Sequence, residues 1–200
     1  MKASIEDFPP PNLGSGVSRS NDTLHLTAIM RSLASDLSLM TLSENDPTLN
    51  FEMGFTWEYL LERAWGRRLI GNRWPEYFNG YGKIERPREV SLDGIVGSPD
   101  GFTVFNKVKT VLEYKLTKKS AFEFDFTNTK KHWWWQTQSK AYCQMLGCRH
   151  CHFFICFING DYRTERDALH KRVPVEYSQT ELDENWAMLK SYAEKRGWLK

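Results

Sequence analysis

Hydrophobic residues recur along this chain with two periods, and the switches between them mark out its elements. In LHLTAIMRSLASDL (24–37) apolar positions return every three or four residues, which predicts a short amphipathic helix with a polar cap near Thr27. FEMGFTWEYLLERAWGRRLI (51–70) predicts a stronger helix, with Trp57, Leu60, Leu61 and Ala64 as its buried stripe. GNRWPEYFNGYG (71–82) is punctuated by Gly, Pro and Asn and predicts loop. The period then falls to two. EVSLDGIVG (89–97) and GFTVFN (101–106) read as strands or as one bent strand, followed by a turn near Asn106-Lys107 and the strand TVLEYKLT (110–117). Helical spacing returns in KKHWWWQTQSKAYCQMLG (130–147), where Gly147 is a natural stop. HFFICFI (152–158) predicts a strand closed by the turn NGD, VPVEYS (173–178) another, and TELDENWAMLKSYAEKR (180–196) a last helix opening on a Thr180 cap. This order predicts an α/β (α+β) domain with a central mixed sheet flanked by helices.

Composition narrows the picture without supplying a function. Two hundred residues, 40% hydrophobic and 26% charged, describe one globular domain. The Pro-, Gly- and Ser-rich residues 1–22 read as a flexible amino-terminal arm, leaving 23–200 as the folded domain. No apolar run approaches the ~20 residues of a membrane span. The amino terminus has no basic-then-apolar leader, so the expected location is cytoplasmic. A net charge of +2 does not by itself argue for nucleic acid. The basic charge is clustered, however, at Arg67-Arg68, Lys118-Lys119, Lys130-Lys131 and His170-Lys171-Arg172, where a solvated face is the simplest account.

Four cysteines fall at 143, 148, 151 and 156, and CRHCH (148–152) fits a haem-attachment pattern. Haem attachment goes with export, for which there is no signal. The count suits zinc or an iron–sulfur cluster, but the segment also reads as a helix-to-strand connection whose thiols pack as small hydrophobes, which is the reading adopted. No Gly-rich phosphate loop and no Ser/His/Asp arrangement is present.

The chemistry concentrates in TVLEYKLT. Alternation puts Leu112, Tyr114 and Leu116 on one face and Val111, Glu113, Lys115 and Thr117 on the other. An acid and an amine side by side mean either a solvated outer face or a catalytic site. Upstream, GSPDGF places Pro99-Asp100 ahead of a strand, and a hairpin turning near Asn106 would bring Asp100 beside Glu113. Two converging carboxylates suit Mg2+, and a neighbouring lysine can orient water or offset charge on a phosphate. Asp93, in LDGI, is the competing second acid, and Asp100 is favoured by its shorter hairpin and preceding proline. Gln138 and Tyr142, four apart, share a helix face with Trp135, Ala141 and Met145. Their polar tips are either hydrogen-bonded core groups or site groups. Glu58 and Glu62 flank the apolar stripe, where either could pair with Arg63 or Arg67. Of Trp133, Trp134 and Trp135 at most two can face a core together, and the third is free to pack on a loop, line a groove or stack on a base. His132 is left outside the site.

Pro99-Asp100 followed after twelve residues by Glu113-Tyr114-Lys115 resembles the PD-(D/E)XK nuclease signature. Gly54 and Glu58 in MGFTWEYLLE, and Gln138 with Tyr142 in QTQSKAY, are similar to the helical glutamate and the Q-x-x-x-Y motif of the RecB-type and phage-exonuclease branch. Order and spacing agree from about residue 54 to 146. The resemblance implies a restriction-endonuclease-like core and DNA phosphodiester hydrolysis with Mg2+ or Mn2+, in an exonuclease of DNA recombination, repair or phage DNA processing. It implies Asp100, Glu113 and Glu58 as metal ligands, Lys115 as the catalytic cation, and Gln138 and Tyr142 as orienting groups. Lys118, Lys119, Lys130 and Lys131 would then receive phosphates. The contrasting expectation is a catalytically silent module that binds DNA or protein on the same fold.

Overall fold

The computed structural model describes residues 23–39, 53–54, 56–59, 61, 79–87, 89–118, 120–122, 124–128, 131–158 and 169–199. The arm, the turn at 159–161 and the pair Arg67-Arg68 lie outside these residues, as do Lys119 and Lys130. Strand β1 (Leu24–His25) runs into helix α1 (Leu26–Asp36). The cap is His25, whose Nδ1 accepts from the Thr27 amide, so the cap stands two residues before the position that the apolar spacing indicates. Residues described between 53 and 61 are helical, and of the expected stripe Trp57 and Leu61 are buried, while Leu60 and Ala64 lie outside the described residues.

The segment read as one or two strands at 89–97 is a hairpin, β2 (Val90–Leu92) and β3 (Ile95–Gly97), that turns at Asp93 and Gly94 with φ of 50° and 80°. The second hairpin, β4 (Gly101–Phe105) and β5 (Val108–Thr117), turns at Asn106 and Lys107 with φ of 46° and 71°. Positive φ at both central positions is the type I′ arrangement, one of the two-residue turns whose twist matches that of the flanking strands. Helix α2 (Trp133–Leu146) ends at Gly147 in the left-handed region, as the sequence indicates. Strand β6 (His150–Phe157) and strand β7 (Leu169–Glu176) follow, then helix α3 (Gln179–Lys195). Here the cap is Ser178 and not Thr180: its hydroxyl and the Glu181 side chain each receive the other's backbone amide. Such a reciprocal box stabilises a helix start by about 1 kcal/mol.

Two sheets result. One has the order β1-β3-β2 and the other β4-β5-β6-β7, with β5 and β6 parallel and the outer pairs antiparallel. A parallel pair needs a crossover, and the segment carrying α2 supplies it. One face of the larger sheet (Val111, Cys151, Phe153, Ile155, Phe157) shares a core with α1, α2 and α3. The other face (Leu112, Tyr114, Phe154, Cys156) is covered by Trp57 and Leu61 with Tyr81 and Ile84. The alternation read along TVLEYKLT is therefore observed, but neither face is the solvated one.

Burial on both faces explains why several polar residues are only partly exposed. Lys171 donates to the Ala121 carbonyl, and the Arg172 guanidinium lies over the Tyr81 and Phe105 rings at 5.8 and 5.6 Å. The His170–Arg172 cluster is thus partly buried, not a solvated face. Trp133, Trp134 and Trp135 all pack half-buried against the core, and His132 sits among Phe124, Phe126 and Trp135. Cys143, Cys148, Cys151 and Cys156 are buried free thiols. Cys151 and Cys156 point to opposite faces of β6, so one cluster cannot take all four. Among the described residues no helix is long and apolar enough to cross a membrane.

Candidate active site

The site forms where β4 begins and β5 passes beneath α2. Pairing of Gly101 with Leu112 sets Asp100 next to Glu113, and the Asp100 Oδ2 atom accepts the Tyr114 backbone amide at 2.8 Å. That bond fixes the carboxylate on the backbone of the strand that carries Glu113. Gly101 makes the approach possible, since a methyl there would stand 3.1 Å from the Tyr114 hydroxyl and 3.2 Å from Leu112 Cβ.

Glu113 is fully buried. Its Oε2 accepts from Lys115 Nζ at 2.5 Å, while Oε1 meets no hydrogen-bond donor among the described residues. Lys115, 15% exposed, also donates to Gln138 Oε1 at 3.1 Å and stands 4.0 Å from Asp100 Oδ2. Gln138 in turn donates through Nε2 to the Tyr142 hydroxyl at 3.2 Å. Strand alternation puts Glu113 and Lys115 on the α2 side, and the four-residue helical spacing aims Gln138 and Tyr142 at them. Three segments therefore converge on one ammonium.

Burial drives the electrostatics. It pushes the Glu113 carboxyl up to about 8, against the Lys115 ammonium and with Asp100 and Glu58 adding to the rise. Burial opposes the Lys115 charge, but Glu113 and Asp100 outweigh it, so its pKa is raised. Tyr142 is raised by burial first and by the same two carboxylates second, and stays a neutral hydroxyl.

Glu58 stands at the edge of this field. Its Oε2 accepts from Arg86 at 3.2 Å, while Arg63 and Arg67 lie outside the described residues. Asp93 lies elsewhere: it accepts from Trp186 Nε1 at 3.0 Å and Lys190 Nζ at 3.2 Å, tying the β2–β3 turn to α3. Those two bonds hold its carboxyl below the usual range. Arg86 and the Asp93 anchor on α3 were not visible in the sequence, since both pairings join segments far apart. Lys118 and Lys131 are exposed.

A hard divalent cation fits this donor set. An orphaned oxygen on a buried acid, with two more carboxylates in its field, offers oxygen ligands and a negative potential. Among the described residues no three His, Cys, Asp or Glu side chains stand close enough to cage an ion. Mg2+ does not need a cage, because it keeps several waters and takes one or two carboxylates.

The sequence matches no protein-family model and no curated protein. Among solved structures it is similar to an alkaline exonuclease from Laribacter hongkongensis (13% identity, 87% of each chain, TM-score 0.44). It is also similar to a phage related exonuclease from Haemophilus somnus 129PT (14% identity, 85% of this chain and 79% of that one, TM-score 0.47).

Proposed function

We propose that this chain is a metal-dependent deoxyribonuclease that hydrolyses DNA phosphodiester bonds, working as an exonuclease in DNA recombination, repair or phage DNA processing. The observation that carries the reading is the meeting of Asp100 and Glu113 on the Lys115 ammonium, with the second Glu113 oxygen buried and without a donor among the described residues. Asp100 and Glu113 would hold Mg2+ or Mn2+, with Glu58 a further ligand directly or through water. The ion would supply Lewis-acid polarisation of the phosphodiester. Lys115, already anchored on Gln138, orients the attacking water and donates to the phosphate oxygens as charge builds on them. Gln138 and Tyr142 keep that ammonium in place, and the exposed Lys118 and Lys131 receive backbone phosphates, with Lys119 and Lys130 proposed for the same role. A site of this kind contacts backbone and not base edges, so cleavage should be insensitive to sequence and weaken steeply with salt.

Linear and circular duplex and single-stranded DNA, incubated with Mg2+, Mn2+ or chelator, test the reading. Degradation of linear DNA with a divalent ion and none with chelator is expected, and circular DNA should survive. DNA bound but intact under every condition would identify a silent binding module instead.

The two candidate second acids separate cleanly. Asp100→Asn should remove both cleavage and the calorimetric heat of Mg2+ binding. Asp93→Asn should leave both in place and lower only the melting temperature, because it weakens the Lys190 pair. Loss of Mg2+ binding in the Asp93 variant alone would reverse the assignment.

A further inference from the structure

Gly97 ends β3, three residues ahead of Asp100, and the Tyr142 ring lies against it. A methyl built on its Cα would come within 2.7 Å of Tyr142 Cε1, 3.3 Å of Cδ1 and 3.1 Å of Met145 Sδ. Carbon contacts that short do not persist in close-packed interiors, so something must move. The ring has nowhere to retreat: Tyr142 is 1% exposed and sits in the main core. Gly97 is not among the glycines with positive φ. Its missing side chain is therefore what the fold uses, and its backbone freedom is not.

Tyr142 is the far end of a chain of contacts. Its hydroxyl accepts from Gln138 Nε2, and Gln138 Oε1 accepts from the Lys115 ammonium. We infer that Gly97 is a positioning residue for Lys115. Its bare Cα lets Tyr142 seat at the depth where the phenol holds the Gln138 carboxamide, and that carboxamide holds the ammonium beside Glu113 and Asp100. One short segment thus serves both sides of the site: Gly97 seats the lysine's support, and Asp100, just beyond Pro99, supplies the acid. The consequence for rate rests on the nuclease reading, while the positional claim does not.

Gly97→Ala should lower kcat for DNA cleavage by about tenfold or more and change KM by less than about twofold. In a Gln138→Ala background the same substitution should cost less than about twofold, since the route to Lys115 is already cut. Losses that multiply in full overturn the inference. Independently of activity, the Gln138 side-chain amide cross-peaks in Gly97→Ala should move to the positions they take in Tyr142→Phe, and unmoved peaks overturn it. If the unsubstituted protein cleaves no DNA, the nuclease reading fails, and these cross-peaks still decide the role of Gly97. Should Gly97→Ala not fold, Gly97→Ala/Tyr142→Leu decides. The shorter side chain clears the methyl, so the double variant should fold and match Tyr142→Leu in its Gln138 cross-peaks. A double variant that also fails to fold overturns the inference.

Discussion

Lys115→Ala is expected to cleave linear DNA at least about a thousandfold more slowly in Mg2+, a loss of roughly 4 kcal/mol of transition-state stabilisation. Lys115 is the ammonium that contacts both acids of the site, and no compensating cation reaches Glu113 through any bond described for it. The same substitution has a second effect. It leaves Glu113 fully buried without its partner, and breaking such a pair costs about 3–5 kcal/mol when the survivor stays ionised. Glu113 can escape part of that cost by keeping its proton, to which burial already inclines it. Urea unfolding should therefore show Lys115→Ala to be destabilised most at alkaline pH. Adding Glu113→Gln should restore part of the stability and none of the activity, which separates the lysine's two roles. Undiminished cleavage by Lys115→Ala would place the catalytic centre elsewhere.

What could be read in the sequence follows the range of the interactions concerned. The strand alternation at 110–117, the turn at Asn106-Lys107 and the helix stop at Gly147 are local, and each appears where period and turn chemistry put it. Thr27 and Thr180 are good capping types, but the caps stand two residues earlier because His25 and Ser178 have the geometry. Asp93-Gly94 is an ordinary hairpin turn signal, but inside the nine-residue strand-like segment EVSLDGIVG it reads equally well as a bend. The separation of Asp93 from Asp100 depends on α3, packed from the opposite end of the chain, and no local pattern carries it. Gly97 was invisible for the same reason: what it accommodates lies on a helix more than forty residues away.

Metal and pH should act on stability through one group. Between the ordinary glutamate value of 4.5 and about 8, the folded chain holds a proton on Glu113 that the unfolded chain has released. Stability from this group is therefore complete below that window and falls as pH rises through it, by at most about 1.4 kcal/mol per pH unit. His152 works the other way over the lower part. Burial first, then Arg172 and His150, pushes it down from 6.5 to about 4, so the folded chain binds fewer protons there and gains stability as pH rises. Lys115 is charged in both states throughout, its raised value mattering only above the ordinary 10.5. The two slopes oppose each other below 6.5, which leaves a net fall from about 6.5 to 8 in chelator. Mg2+ favours the ionised carboxylate and should flatten that fall, and Glu113→Gln should abolish both the slope and its response to Mg2+. Calorimetry at pH 7 in buffers of different ionisation enthalpy should then register close to one proton released per ion bound. A slope that Mg2+ leaves unchanged, with no proton released, would mean that the buried acid does not hold the metal.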